Sequence, residues 1–165
     1  MADRRLVVRA ARPEDCEAIH DMLGALAAYE KVPGANKATP DILRRDGFGP
    51  QPRFEAILAE LDGQPIGFAL WTSNYSTWEG RAGIFLEDIF VYDHVRGQGA
   101  GRALLARLAR IARDRGLGRI DLNVLTWNPA REFYRRLGVD HLQDWVPYRV
   151  RGEALGRLAD EDDRS

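Results

Sequence analysis

With 165 residues the chain is long enough for one domain with a real core and short for two, so a single domain over residues 1–165 is expected. A formal net charge of −1 gives no overall pull toward nucleic acid or an anionic membrane, and any charge-driven binding has to come from local patches. The single cysteine, Cys16, excludes an intramolecular disulfide and a cysteine-built zinc site; with no apolar run of signal-peptide or membrane-span length, the expectation is a cytoplasmic protein.

Leu6 to Arg9 reads as a short strand, and Arg12-Pro13-Glu14-Asp15 as a helix start, because proline is tolerated in the first turn and acids favour the helix dipole. Ile19, Met22, Leu23 and Leu26 recur at helical spacing through Tyr29, with Cys16 one turn earlier on the same side, which makes it a core residue rather than a nucleophile. Glu30 to Gly49 is loop-rich, a wall or lid around a short helix over Asp41 to Asp46 that leaves through Gly47-Phe48-Gly49-Pro50. Phe54 to Leu61 predicts a strand, Asp62-Gly63 a hairpin turn, and Ile66 to Ser73 the antiparallel partner. Tyr75 to Gly83 is a polar and aromatic turn before a strand over Ile84 to Val91.

From Arg102 to Arg115 one helical stripe is apolar (Leu104, Leu105, Leu108, Ile111, Ala112), the arginines form a solvated face, and Gly116 ends the helix. Ile120 to Leu125 predicts a strand, Asn128-Pro129 starts a helix through Leu137 that Gly138 caps, Trp145 to Val150 reads as a last strand, and Asp160 to Ser165 is a charged, frayed tail.

Between the strand ending at Val91 and the helix that follows lies Arg96-Gly97-Gln98-Gly99-Ala100-Gly101-Arg102. Glycines there let the backbone bend with positive φ and present N–H groups, the helix start adds its dipole, and two arginines flank the turn, so an anion of the phosphate type is the expected ligand. A Walker loop needs Gly-Lys followed by Ser or Thr, whereas Gly101 is followed by Arg102 and Ala103. A dinucleotide fold puts its third glycine where Arg102 stands and requires parallel strands before it.

The same turn resembles the coenzyme A site of the GNAT superfamily of N-acetyltransferases. The resemblance extends over roughly residues 5–158, through YEK at Tyr29 to Lys31, DGFG at Asp46 to Gly49, YSTWEGR at Tyr75 to Arg81, FLEDIFV at Phe85 to Val91 and VLTWNPAREFYRRLG at Val124 to Gly138. In that order the segments are similar to the spermidine/spermine and thialysine acetyltransferase branch. The resemblance implies an α/β (α+β) GNAT fold: a mixed central sheet with an antiparallel N-terminal meander and a splayed strand pair, flanked by helices. It implies acetyl-CoA as co-substrate, a small-molecule amine as acceptor, direct transfer in a ternary complex, and a homodimer. A non-catalytic acetyl-CoA-binding module and a protein N-acetyltransferase are the alternatives.

By the same resemblance Arg96, Gly97, Gln98, Gly99, Ala100, Gly101 and Arg102 hold the pyrophosphate, and backbone groups of Ile89, Phe90 and Val91 pair with the pantetheine arm and thioester. Asn128, Pro129, Ala130 and Arg131 are expected to form a second coenzyme-contacting segment. Tyr134 is the candidate general acid, since a phenol near the sulfur can protonate the departing thiolate. Glu87 and Asp88 are adjacent acids in an apolar strand and should face opposite ways, Glu87 taking the ammonium and accepting its proton. Tyr29, Glu30 and Trp78 match positions lining the acceptor channel, where aromatic faces and carboxylates suit a cationic chain. Ser76 stands where the polyamine enzymes carry Asp and the thialysine branch Ser, which favours a shorter amine. His20, His94 and His141 show no metal-ligand spacing, and no metal is expected.

Overall fold

The computed structural model describes residues 5–162, which fall into two compact units divided between Asn123 and Val124. The first unit is a five-stranded sheet in the order β1 (Leu6–Ala10), β2 (Glu55–Leu61), β3 (Gln64–Ser76), β4 (Arg81–Val91), β5 (Ile120–Leu122). β1 to β4 pair antiparallel with their sequence neighbours, as the meander predicted from alternation requires, and β5 joins β4 in parallel. At the β2–β3 turn Asp62 and Gly63 take φ of 52° and 79°, the left-handed pair that a two-residue hairpin needs to match strand twist.

Each sheet face has its own core. On one, Ile57, Ala59, Ala69, Trp71, Ile84 and Leu86 pack with Leu104, Leu108 and Ala112 of α3 (Ala100–Asp114), the stripe read from the sequence. On the other, Leu58, Phe68, Leu70 and Phe90 pack with Cys16, Ile19, Met22 and Leu23 of α1 (Cys16–Tyr29) and Leu43 of α2 (Pro40–Phe48). A side chain such as Phe68, fully buried, contributes about 2–3 kcal/mol by removal from water. Cys16 is a core residue, and burial pushes its thiol pKa up, which leaves it inert.

The strands are longer toward the β3–β4 turn than the sequence suggests. β3 runs to Ser76 and β4 starts at Arg81, so most of the expected 75–83 turn is ladder, because alternating side chains pair across it from Tyr75↔Ala82 to Ser76↔Arg81. α2 likewise continues through Gly47 and Phe48. β5, in contrast, stops at Leu122 and not at Leu125.

The second unit holds α4 (Ala130–Arg136) and α5 (Gly152–Asp162). The strand expected at Trp145 to Val150 does not form: these residues are irregular and exposed, and an alternating segment without a ladder partner has nothing to satisfy its backbone. α5 extends into the expected charged tail at Asp160, and residues 163–165 of that tail lie outside the described residues.

Candidate active site

β4 carries the central irregularity. Leu70 pairs with Asp88 while the next β3 residue, Trp71, pairs with Leu86, so Glu87 is the extra residue of a β-bulge. The bulge turns the exposed Glu87 out of the ladder, and Asp88 shares the α1 face with Leu70, its cross-strand partner, and Phe90. Of the two acids it is Asp88 that burial burdens. Its pKa rises to about 6, first because desolvation disfavours the charge and then because Glu87 and Glu30 repel it. Asp88 makes no hydrogen bond or ion pair among the described residues, so a cation brought here would relieve an existing electrostatic cost.

Past the bulge, β4 loses its parallel neighbour. β5 pairs only with Ile84 to Leu86, and Asp88 to Val91 therefore have ladder partners on the β3 side alone within the first unit. This is the splay expected from the sequence: antiparallel pairing with β3 uses the backbone groups of alternate β4 residues, those of the others between Ile89 and Val91 face the opposite edge, and Val91 O accepts from Arg96 Nε.

The chain then enters a 3-10 turn at Asp93–Val95, anchored by the buried Val95, and reaches Gly97 and Gly99 at φ of 81° and 84°. A β-carbon at either glycine would meet open space, so the positive φ and not a clash calls for glycine. Gly99 is the N-cap of α3; Ala100, Leu104 and Leu108 are buried and fix the helix to the sheet, and Ala103 N donates the first helical bond to Gly99 O at 2.9 Å. The preceding N–H groups of Ala100, Gly101 and Arg102 have no helical acceptor, no acid stands in the first turn, and Gln98 and Arg102 are exposed beside it. Those donors and charges fit a diphosphate.

Arg96 is engaged on the other side of this turn. Its Nη1 lies 2.8 Å from an Asp93 carboxylate oxygen, its Nε donates to Val91 O at 3.3 Å, and its guanidinium carbon stands 4.8 Å from the centre of the Tyr29 ring. Tyr29 ends α1, and Glu30, next to it, is half-buried. A cleft of about 360 Å³ opens here between Ala25, Ala28 and Tyr29 of α1 and Phe90, Tyr92, Asp93 and His94. Tyr92, Asp93 and His94 were not singled out for binding by the sequence, since nothing local marks a residue that reaches a helix some sixty positions earlier.

Ser76 and Trp78 are not in this group. Ser76 is six ladder positions beyond Leu70, about 20 Å along β3 from the level of Asp88. Its hydroxyl is buried and occupied: it accepts from Glu79 N at 3.2 Å and from Arg119 Nη1 at 3.1 Å, while Trp78 at the turn is 95% exposed.

In the second unit Asn128 Oδ1 accepts from Ala130 N at 2.9 Å, starting α4, and Arg131 Nη1 donates to Thr126 O at 2.9 Å. Pro129 precedes the first turn without an N–H to satisfy. Tyr134 is buried, and burial alone pushes its phenol up to about 12, so it is a protonated donor at any neutral pH.

The sequence matches the model of the acetyltransferase (GNAT) family over residues 19–139. The thialysine N-epsilon-acetyltransferase of Sus scrofa is 39% identical over 166 aligned residues, covering 93% of this chain and 97% of that protein. An integron cassette protein from the mobile metagenome of V.cholerae superposes with a TM-score of 0.78 at 24% identity, covering 93% of this chain and 97% of that one. An aminoglycoside N-acetyltransferase in complex with CoA does so at 0.72 and 20% identity, covering 91% and 97%. With the family match spanning both units and a relative 39% identical over nearly the whole chain, the chain belongs to the GNAT acetyltransferase family.

Proposed function

We propose that the protein moves the acetyl group of acetyl-CoA to the primary amine of a small molecule, of the diamine/polyamine or lysine-analogue type, by direct attack in a ternary complex. One observation carries this reading: a single strand joins a cation-seeking end, the half-buried Asp88 beside Glu87 and Glu30, to an anion-seeking turn at Gly97 to Arg102, with an unpaired backbone edge between. The likeness to the thialysine enzyme supports the amine class, and the CoA complex of the aminoglycoside enzyme supports the donor. The family match runs across the division between the two units, which supports one catalytic domain.

In this reading the turn residues Arg96 to Arg102 bind the pyrophosphate, Ile89 to Val91 hold the pantetheine arm by main-chain bonds, and Asn128 to Arg131 form the second contact. The donor supplies a thioester carbonyl. Glu87, exposed on its bulge, accepts the ammonium proton; Asp88, Glu30 and Tyr29 hold the cation; Tyr134 protonates the leaving sulfur. Ser76 contributes by fixing the turn that carries Trp78, and at its distance from Asp88 that indole serves an acceptor only across a homodimer. Exposed Leu142, Trp145, Val146 and Tyr148 give such a dimer an apolar surface. Light scattering should find twice the chain mass, falling to one on Trp145→Asp with Tyr148→Asp; a wild-type monomer would remove the dimer. The cytoplasm, where one free thiol stays reduced, is the proposed location.

Thiol release from acetyl-CoA, compared across thialysine, lysine, short diamines and spermidine, tests the function. Turnover with one or more of these amines is expected. Tight acetyl-CoA binding with no release on any amine would make the protein a coenzyme-binding module instead.

A further inference from the structure

The geometry points to a subsite for the remote cationic group of the amine in the aromatic cleft beside the phosphate turn, a subsite whose mouth Arg96 fills until a diphosphate draws its guanidinium away. This rests on the acceptor reading above and adds to it a place for the end of the amine that does not react.

The protein's own guanidinium marks the position. Two of the groups that hold Arg96, the Tyr29 ring at 4.8 Å and the Asp93 carboxylate at 2.8 Å, also line the cleft. An aromatic face with a carboxylate beside it is what an organic cation needs. Phe90 meets Tyr92 edge-on at 5.3 Å and Tyr92 stacks on His94 at 5.6 Å, continuing an aromatic wall past the point Arg96 reaches. A cleft of about 360 Å³ has room for an alkyl stem as well as its charged end. Asp88 and Phe90 lie on the same face of β4, about 7 Å apart at two strand residues, so a short alkyl chain spans from the carboxylates to the rings.

Arg96 immediately precedes Gly97 and is therefore within reach of a phosphate in the turn. Its ion pair with Asp93 is solvent-exposed, the kind worth little, whereas guanidinium on phosphate makes short, paired, charge-assisted bonds. Donor phosphates should win Arg96, uncovering the Tyr29 face and the Asp93 carboxylate. Donor and amine then bind with positive coupling, and the coupling is reciprocal.

Titration calorimetry on the full chain tests this, with thialysine as probe and CoA, which has no acetyl group to transfer, present or absent. Saturating CoA should tighten thialysine binding to the wild type about fivefold. In Arg96→Leu, with CoA again brought to saturation, the CoA-free affinity should already match the wild-type CoA-bound value. Tyr92→Ala and Asp93→Asn should each weaken thialysine about fivefold in the CoA-bound protein. Coupling that persists in Arg96→Leu, unaltered affinity in both cleft variants, or no thialysine binding to either form overturns the subsite. Thiol release by the wild type judges the acetyltransferase reading separately: coupling without release keeps the subsite and loses the enzyme, and release without coupling does the reverse.

Discussion

The Ser76 hydroxyl and the Arg119 guanidinium meet 3.1 Å apart across the β3–β4 turn, joining a strand end to the start of β5. Arg119 also donates to Asp121 at 2.8 Å and lies 3.7 Å from Glu79, whose own N–H is held by Ser76. The turn bearing Trp78 is thus clasped from below by groups far away in sequence.

If Ser76 is a clasp and not an acceptor contact, its loss should register as stability. Ser76→Ala and Arg119→Met are each expected to cost about 1–2 kcal/mol, since a buried hydrogen-bonding group loses its partner. The double variant should cost less than the sum, with a coupling of about 1 kcal/mol in denaturant titrations. Strict additivity would deny the clasp.

Asp88 makes a pH prediction whose sign is opposite to that of a salt-bridged acid. Its pKa is raised in the folded protein to about 6, so its contribution to stability is full below the ordinary carboxylate range and is lost as pH rises through 6. Asp88→Asn should therefore stabilise the protein at pH 8, by about 1–3 kcal/mol, and do little at pH 4. Amine affinity should fall in the same variant, and thermal melts at the two pH values with an amine titration check both halves.

Tyr134 is buried with its phenol pushed up to about 12. A general acid in that state stays protonated across the whole working range, so the alkaline limb of a kcat profile cannot be its titration. Tyr134→Phe is expected to lower kcat about 100-fold or more while leaving acetyl-CoA affinity near wild type. A wild-type kcat in this variant would remove the phenol from the reaction. By linkage, stability should decline between pH 10 and 12 as the unfolded phenol ionises before the folded one.

Gly99 separates conformation from contact. Because a β-carbon there has open space around it, Gly99→Ala should cost only about 1 kcal/mol of stability, from the positive φ. Its effect on the Kd of CoA should be far larger, about tenfold, if the turn holds phosphate through its backbone. Equal Kd values for wild type and variant would place the phosphates elsewhere.

The elements that carry the site were legible because their signals are local. Alternation gave β1 to β4, Asp62-Gly63 gave the hairpin, and one apolar stripe gave α3. What escaped depends on partners distant in the chain. The bulge that sets Asp88 rather than Glu87 against α1 is a register event between two strands, and no single strand shows it. The bond from Arg119 to the Ser76 hydroxyl joins residues 43 positions apart, and nothing near Ser76 in the sequence announces it. Trp145 to Val150 has the residue types of a strand but no ladder, and α5, exposed throughout, has too thin an apolar face to announce itself.

Glu87 carries a further consequence of the bulge. A strand edge without a neighbour is a template on which another chain can polymerise, and native sheets guard such edges with kinks and charges. The segment Glu87 to Val91 has both at its start, a register break and an exposed carboxylate. The kink and the exposed Glu87 carboxylate thus guard the open edge of the sheet against aggregation, and neutralising that charge removes one of the two guards.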